Sequence, residues 1–431
     1  MAEKKILRFI TLGCSKNLVD SEKMAACFPP SKYKIDFVHH TGFADYLLLN
    51  TCGFIQDAKE ESVQAILEAV ELKKKKKIGN IIVWGCLSQR YMKEMREEIP
   101  EVDFWAGTEP FDVIAGYIRR SHFSFNPAGR VLSTPTHYAY LKISEGCNRL
   151  CSFCAIPLIR GKYRSFPLHS LVKEARLLAG KGVRELILIA QDLTYYGTDI
   201  NGKQQLTRLV QQLSAIRGIE WIRLHYLYPQ RFPDDLLLEI RDNPKVCKYI
   251  DVPVQHISNR ILKQMKRGIK TDETYALISR IRKIIPDVTL RTTVMVGFPG
   301  ETDEEFGELM EMVEKVRFDR LGAFAYSHED STHAGMHLKD NVPETVKMKR
   351  LHQLMELQRE ISAEKNEELV GKKLRVLVDG KEGRYYTARP QSDSPEVDNF
   401  VLIHANYLSP GEFVDVRITK ADAYHVYGKL C

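Results

Sequence analysis

The chain has 431 residues, of which 44% are hydrophobic and 28% are charged, and its formal net charge is +7. This length is enough for about three domains. We find no secretory signal, no transit peptide and no apolar run of membrane-spanning length, which argues against a secreted or membrane protein. The nine cysteines therefore indicate a reducing, cytoplasmic setting and metal ligation rather than disulfides.

Three cysteines in the first part of the chain share one local context. Cys14, Cys52 and Cys86 each follow an apolar, β-rich run and precede a helical pattern. Strands that alternate with helices predict a parallel sheet, and ligands gather at the carboxyl ends of its strands. We therefore expect the three to converge at one sheet edge and to hold an iron–sulfur cluster, with adjacent glycines giving a bulky ligand room. The alternative is three buried cysteines that pack as small hydrophobic residues.

A segment that is rich in Ser, Pro and Thr and lacks periodicity, residues 121–138, indicates the first domain boundary. We place an N-terminal domain at residues 1–125, a second domain at 137–366 and a third at 367–431.

A second group of cysteines lies on one short loop in the spacing C-x3-C-x2-C: Cys147, Cys151 and Cys154. Three thiolates in this arrangement can bind three irons of a four-iron cluster and leave the fourth iron open to a substrate. A zinc site is the alternative, and it would need a fourth ligand at similar spacing. The nearest candidates, His137 and His169, have no partner at such a spacing.

Six β-rich runs separated by helical patterns follow the boundary and begin at Tyr140, Glu185, Trp221, Tyr249, Thr289 and Phe318. They predict a partial (βα)6 barrel of parallel strands, related to the eight-stranded kind. The cysteine loop follows the first strand, which places it at the carboxyl end of the barrel, where the chemistry of such folds occurs.

A long charged helix over residues 343–366 leads out of the barrel and into a region of short strands with Gly and Pro turns. Alternation there predicts a small antiparallel β-barrel of the oligonucleotide-binding type. Residues 371–431 contain nine Lys and Arg against eight Asp and Glu, a net charge of +1. This charge is weak for binding many phosphates, and we expect the domain to be separable from a barrel that keeps its own core.

The remaining cysteines, Cys27, Cys247 and Cys431, have no cysteine partner at ligand spacing. We interpret them as structural.

The loop EGCNRLCSFC around Cys147 resembles the signature of the radical SAM superfamily, where SAM is S-adenosylmethionine. Along its whole length the chain is similar to the methylthiotransferases, which join an N-terminal α/β domain, a radical SAM partial barrel and a C-terminal TRAM domain. Four motifs are similar to the branch that modifies a ribosomal protein rather than to the branch that modifies tRNA: GCSKNLVDSE, PVQHISNRILKQMKR, FAYSHEDSTHA and SDSPEVDN. One position departs from the family, since Phe166 stands where an arginine is common.

The resemblance implies two 4Fe-4S clusters, one on each group of three cysteines, with SAM as methyl donor and radical source. It implies methylthiolation of the β-carbon of an aspartate in ribosomal protein S twelve, free or in the small subunit. An external donor of the flavodoxin or ferredoxin type would supply electrons. The alternatives are a tRNA adenosine methylthiotransferase, which the motifs and the weakly charged last domain disfavour, and a non-catalytic iron–sulfur or RNA-binding protein.

The resemblance also implies contacts with SAM, for which the candidates are Phe153, Gln191, Asp192, Arg291 and Glu301. A packing role fits Phe153 equally well. Arg291 could pair with the SAM carboxylate or belong to an ion pair within the barrel. Glu301 could line the adenosine, and the glycines before it could equally serve a tight turn.

Overall fold

The structure is a computed structural model that describes residues 4–37, 42–120 and 129–431. The boundary expected at residues 121–138 lies partly outside the described residues, since 121–128 are not among them. None of the helices in the described part of the chain is long and apolar enough to span a membrane.

The N-terminal unit is a five-stranded parallel sheet with helices on both faces. Its elements are β1 (Lys5–Thr11), α1 (Ser15–Ala25), β2 (Tyr33–Asp36), β3 (Ala44–Thr51), α2 (Gln56–Lys74), β4 (Ile78–Gly85), α3 (Cys86–Glu98), β5 (Phe104–Trp105) and α4 (Phe111–Arg119). The strand order is β2-β1-β3-β4-β5. In β3, Leu47 and Leu49 pack on one face and Leu48 on the other, which explains the continuous apolar runs.

The second unit is an open, curved sheet of six parallel strands, as the sequence predicts. Its elements are β6 (Tyr138–Lys142), β7 (Ser144–Glu145), α5 (Ile156–Arg160), β8 (Arg164–Ser165), α6 (Leu168–Gly180), β9 (Glu185–Ile189), a 3-10 turn (Leu193–Tyr195), α7 (Thr198–Asn201), α8 (Leu206–Ser214), β10 (Trp221–Leu224), α9 (Asp234–Asp242), β11 (Val246–Asp251), α10 (Asn259–Gln264), α11 (Thr271–Ile284), β12 (Thr289–Val296), α12 (Asp303–Val316), β13 (Arg320–Ala325), α13 (His333–His337) and α14 (Glu344–Glu367). The main sheet runs in the order β13-β12-β11-β10-β9-β6, and β7 and β8 form a separate pair.

The third unit is a closed five-stranded barrel made of β14 (Lys373–Glu382), β15 (Tyr385–Arg389), β16 (Phe400–Ile403), β17 (Phe413–Ala421) and β18 (His425–Leu430). Four neighbouring pairs are antiparallel, as expected, and the pair β16 and β18 is parallel. The physical reason is geometric, because an odd number of strands in a closed ring cannot alternate in direction all the way round.

Buried charges join the third unit to the second. Arg389 donates to Glu185 of β9 at 2.9 Å, and both side chains are 0% exposed. Arg320 of β13 lies 2.6 Å from a carboxylate oxygen of Asp393, and the hydroxyl of Tyr249 donates to Asp398 at 2.7 Å. The second unit has its own hydrophobic core, made of residues from Ala139 to Ile361, and some of its buried charges nonetheless have partners in the third unit.

The three cysteines that we predict to be structural occupy separate positions in the fold. Cys27 lies just after α1 and Cys247 lies within β11, and both are buried. Cys247 packs with Trp221, Tyr249 and Leu377. Cys431 is exposed at the last position.

Candidate active site: two neighbouring sets of three cysteines

The first group, Cys14, Cys52 and Cys86, is called the N-terminal cysteine set. Cys14 precedes α1, Cys52 follows β3 directly, and Cys86 is the first residue of α3 after β4. Strands β1, β3 and β4 are neighbours in the sheet, so the three cysteines lie at the carboxyl ends of three adjacent parallel strands. This is the edge at which such sheets bind ligands.

Glycines allow the loops of the N-terminal cysteine set to approach one another. A Cβ atom on Gly13 would lie 2.6 Å from the Cβ of Cys52, and one on Gly53 would lie 2.7 Å from the Cα of Leu87, next to Cys86. Real atoms do not come this close, so only glycine fits at either position. These glycines serve the packing of the cysteine loops against each other.

Asn17 connects the loops of all three cysteines. Its Nδ2 donates to the carbonyl of Leu12 at 2.9 Å and to that of Thr51 at 3.2 Å, just before Cys14 and Cys52 respectively. Its Oδ1 lies 3.8 Å from the Sγ of Cys86. Asn17 is 0% exposed, so these bonds are shielded from water and hold the set together. Asn17 was not predicted from the sequence, because polar and apolar residues of α1 are buried alike and no amphipathic pattern marks it.

We expect the substitution Asn17→Ala to remove the cluster-binding capacity of the N-terminal cysteine set while sparing the other set. The carbonyls of Leu12 and Thr51 would each lose a donor, and for the buried carbonyl of Thr51 this costs about 1–3 kcal/mol. The measurement is iron content after anaerobic reconstitution, which should fall by about half. Asn80→Ala on the same sheet, at a position that is not buried, is the control and should keep all of its iron. Full iron loading in Asn17→Ala would contradict this role.

The second group, Cys147, Cys151 and Cys154, is called the barrel cysteine set. It lies on the loop after β6 and β7, at the carboxyl end of the barrel. The backbone N–H of Arg149 donates to the Sγ of Cys147 at 3.3 Å. Ser152 fixes the loop through its own backbone, since its N–H donates to Met265 and its carbonyl accepts from Ala334. The loop is thus held by segments that follow two other barrel strands.

The two cysteine sets lie next to each other. The side chain of Cys86 packs with Ala155, which directly follows Cys154, and with Ile159 of α5. Arg90, on the helix that follows Cys86, donates to the carbonyl of Gly53 and to Glu329 beyond β13, both at 2.7 Å. The N-terminal cysteine set is therefore fixed to the mouth of the barrel.

A buried cluster of ion pairs, whose positive and negative charges cancel, lies between the two cysteine sets. Arg160, at the end of α5, pairs with Asp20 at 2.7 Å and with Glu145 at 3.2 Å, and Lys142 contacts the same two carboxylates. These neighbours hold the pKa of Asp20 and Glu145 below their usual values against the opposing effect of burial. The pairs span α1 of the first unit and the barrel, so they fix the relative position of the two cysteine sets.

Both cysteine sets include buried thiols. Burial raises the pKa of Cys52 and Cys147 to about 11, so their thiols are protonated at neutral pH until a metal displaces the proton. No group of three or more His, Cys, Asp or Glu side chains in the described residues is arranged to hold one metal ion. The thiolates of an iron–sulfur cluster bind different irons and stand farther apart than the ligands of one ion.

The five residues proposed to contact SAM occupy different environments. Gln191 has a buried Oε1 atom with no hydrogen-bond partner in the described part of the chain, so it has a free acceptor for a ligand. Asp192 accepts from Arg149 at 2.8 Å. Phe153 is partly buried against Met265 and Phe298.

Arg291 and Glu301 are held in ion pairs by other residues of the protein. Arg291 lies 3.2 Å from Asp251 and 3.4 Å from Asp398, which is the barrel ion pair that the sequence left open as an alternative. Glu301 is fully buried, accepts from the backbone N–H of Gly297 at 2.9 Å and pairs with Arg350 at 2.9 Å. Its carboxylate therefore stabilises its own turn.

Phe166 lies among cations, which explains why an aromatic ring suits this position. Its ring centroid is 5.3 Å from Lys23, 5.9 Å from Lys142 and 5.2 Å from Arg164. The ring attracts these cations, whereas the arginine that is common in the family would add a further positive charge beside them.

Comparisons with known proteins agree with this architecture. The model of the radical SAM superfamily matches residues 141–313, that of Uncharacterized protein family UPF0004 matches 6–107, and that of the TRAM domain matches 370–431. Among solved structures, the radical S-adenosylmethionine methyltransferase TsrM from Kitasatospora setae is similar in fold, with a TM-score of 0.56 at 13% identity over 77% of each chain. The cobalamin-dependent radical enzyme OxsB has a TM-score of 0.51 at 12% identity, over 80% of this chain and 56% of that one.

Curated relatives are much more similar in sequence. The ribosomal protein uS12 methylthiotransferase RimO of Parabacteroides distasonis is 48% identical over 99% of both chains. The protein of the same name from Prosthecochloris aestuarii is 49% identical over 98% of this chain and 97% of its own. At this identity and coverage, the chain belongs to the RimO family of ribosomal protein uS12 methylthiotransferases, within the radical SAM superfamily.

Proposed function

We propose that the protein is a radical SAM enzyme that replaces a C–H bond by C–SCH3 at the β-carbon of an aspartate in ribosomal protein uS12. The observation that carries the proposal is the contact of Cys86 with Ala155 and Ile159, which brings two sets of three cysteines together. One set alone would provide a single open cluster. Two adjacent sets would hold two such clusters. The full-length similarity to uS12 methylthiotransferases supports ribosomal protein uS12 as the substrate.

In this proposal the barrel cysteine set holds one 4Fe-4S cluster with SAM, and the N-terminal cysteine set holds a second 4Fe-4S cluster. When bound, these groups supply the radical that removes the β-hydrogen and the methylthio group that replaces it. The β-hydrogen is not acidic enough for removal by a side-chain base, which is why the reaction needs a radical. We propose an external one-electron donor of the flavodoxin or ferredoxin type.

The residues of the chain hold, orient and enclose these groups. Asn17 and Arg90 fix the loops of the N-terminal cysteine set. The free oxygen of Gln191 is the best placed of the five candidates to accept a hydrogen bond from SAM, next to the Asp192–Arg149 pair. The apolar contact of Phe153 with Met265 and Phe298 helps to keep water from the barrel cysteine set. We also propose the functional division at residues 1–125, 137–366 and 367–431.

The decisive measurement is mass spectrometry of uS12 from cells with and without this gene. We expect the methylthio group on one aspartate only when the gene is present.

The rival substrate is tested in parallel by measuring tRNA binding across a salt series and by searching treated tRNA for methylthioadenosine. Weak binding with a shallow salt dependence is expected, since few phosphates would be neutralised. Tight, steeply salt-dependent binding with a modified adenosine would replace the protein substrate by tRNA.

A further inference from the structure

Arg267 donates a hydrogen bond from its Nη1 to the Sγ of Cys151 at 3.4 Å. It follows α10 in the turn that also receives the backbone N–H of Ser152, so the arginine and the cysteine loop are held against each other at two points. Arg267 is only 5% exposed. The segment PVQHISNRILKQMKR ends on this arginine, and the proposed function gives it no role.

The charge of Arg267 has no carboxylate partner. Its Nη2 donates to the carbonyl of Pro253, its guanidinium lies 4.3 Å from the ring centroid of Tyr228, and its Nε atom has no hydrogen-bond partner within the described ranges. No Asp or Glu of the described residues lies within ion-pair distance of it. Asp192 also acts on the charge of Arg267, but its carboxylate is already paired with Arg149 at 2.8 Å. A buried cation without a directly contacting counter-ion is costly, and the sulfur of Cys151 is the group in contact with Arg267 that becomes an anion as a metal ligand.

Arg160 differs in this respect. It donates to the Sγ of Cys86 at 3.4 Å from the same kind of buried position, but its charge is matched by Asp20 and Glu145. The comparison indicates that Cys151, when it is a thiolate metal ligand, would give Arg267 the anionic contact that Arg160 already has from two carboxylates.

We propose that Arg267 raises the reduction potential of the cluster held by the barrel cysteine set, by placing a buried positive charge and a hydrogen-bond donor on the sulfur of Cys151. It acts through Cys151 and is therefore a positioning residue. Hydrogen bonds to cluster sulfurs and local charge are established determinants of such potentials. The effect is on the addition of one electron from the reductant to the cluster, with no bond made or broken. This inference rests on the proposed function insofar as the barrel cysteine set must hold a cluster.

The test uses the full chain with Cys14, Cys52 and Cys86 changed to alanine, so that the barrel cluster is the one observed. The reconstituted protein is titrated with dithionite and the reduced cluster is followed by electron paramagnetic resonance without SAM. At a fixed potential, Arg267→Gln should lower the ratio of reduced to oxidised cluster by at least about tenfold, which for a one-electron couple equals a potential lower by about 59 mV. Arg260→Gln, which removes an exposed arginine two turns earlier, is the matched control and should leave the ratio unchanged.

Each outcome decides the inference. An unchanged ratio in an Arg267→Gln protein that holds about four irons would overturn it and leave the proposed function intact. If the parent protein with intact Arg267 holds no iron, the inference and the proposed cluster both fall. If Arg267→Gln does not assemble a cluster, Arg267→Met decides, because methionine fills similar space and removes both the positive charge and the hydrogen-bond donor. A lower ratio in that variant supports the inference, and an unchanged one overturns it.

Discussion

Changing Cys147, Cys151 and Cys154 together to alanine should leave about four of the about eight irons that the reconstituted wild-type protein holds. The two sets occupy separate loops, and the N-terminal cysteine set has its own fixing contacts through Asn17, so it should load independently. The triple variant should form neither 5′-deoxyadenosine nor methylthiolated uS12. Iron content and product analysis measure the two effects.

The reciprocal substitution, Cys52→Ala, should separate the two activities. Under a strong reductant this variant should still cleave SAM to 5′-deoxyadenosine, because the barrel cysteine set is intact, and should form no methylthiolated product. Cys27→Ala is the control for loss of a buried thiol, and it should retain both activities. Full iron retention in the triple variant, or loss of SAM cleavage in Cys52→Ala with the barrel cluster intact, would refute this division.

The substitution Arg389→Ala should destabilise the second unit, the six-stranded parallel barrel, although Arg389 belongs to the last domain. Arg389 is 0% exposed and pairs with Glu185 at 2.9 Å and with Asp379 at 2.7 Å. Its removal leaves a buried carboxylate of the barrel with Arg223 as its remaining partner. Breaking a buried pair in this way costs about 3–5 kcal/mol.

Urea unfolding, monitored by a signal from the second unit, measures this loss in the free energy of unfolding. The matched control is Arg375→Ala, which breaks the exposed pair with Glu220 at 3.3 Å between the same two units. An exposed pair contributes about 0–1 kcal/mol, so the control should unfold close to wild type. Equal midpoints for the two variants would show that the buried pair does not couple the units. Removal of residues 371–431 should destabilise the barrel further, because Asp393 and Asp398 are lost as well.

The amino-acid composition of the last domain does not give the charge of the surface that a binding partner meets. Nine basic against eight acidic residues give a net charge of +1. The structure holds Asp379, Asp393 and Asp398 in ion pairs, two of them with barrel arginines. The charge that a partner meets is therefore not the charge that the sequence counts, and the tRNA titration described above tests the substrate directly.

The sequence by itself determined the elements and the positions of the two cysteine sets. Apolar runs followed by helical patterns placed Cys14, Cys52 and Cys86 at the ends of parallel strands, where the structure has them, since local periodicity and the topology of parallel sheets suffice for that step. The spacing of Cys147, Cys151 and Cys154 needs no tertiary information, because it lies within one loop.

Only the tertiary structure decided how these parts meet. Nothing local in the sequence relates Asn17 to the loops of three cysteines, Arg267 to Cys151, or Arg389 to Glu185 across 204 positions. Such contacts depend on how separate units pack, and burial then sets their strength by removing the water that would screen them. The sequence could not decide for the same reason whether Arg291 belongs to an ion pair of the protein. The structure shows that it does, with Asp251 and Asp398 as partners.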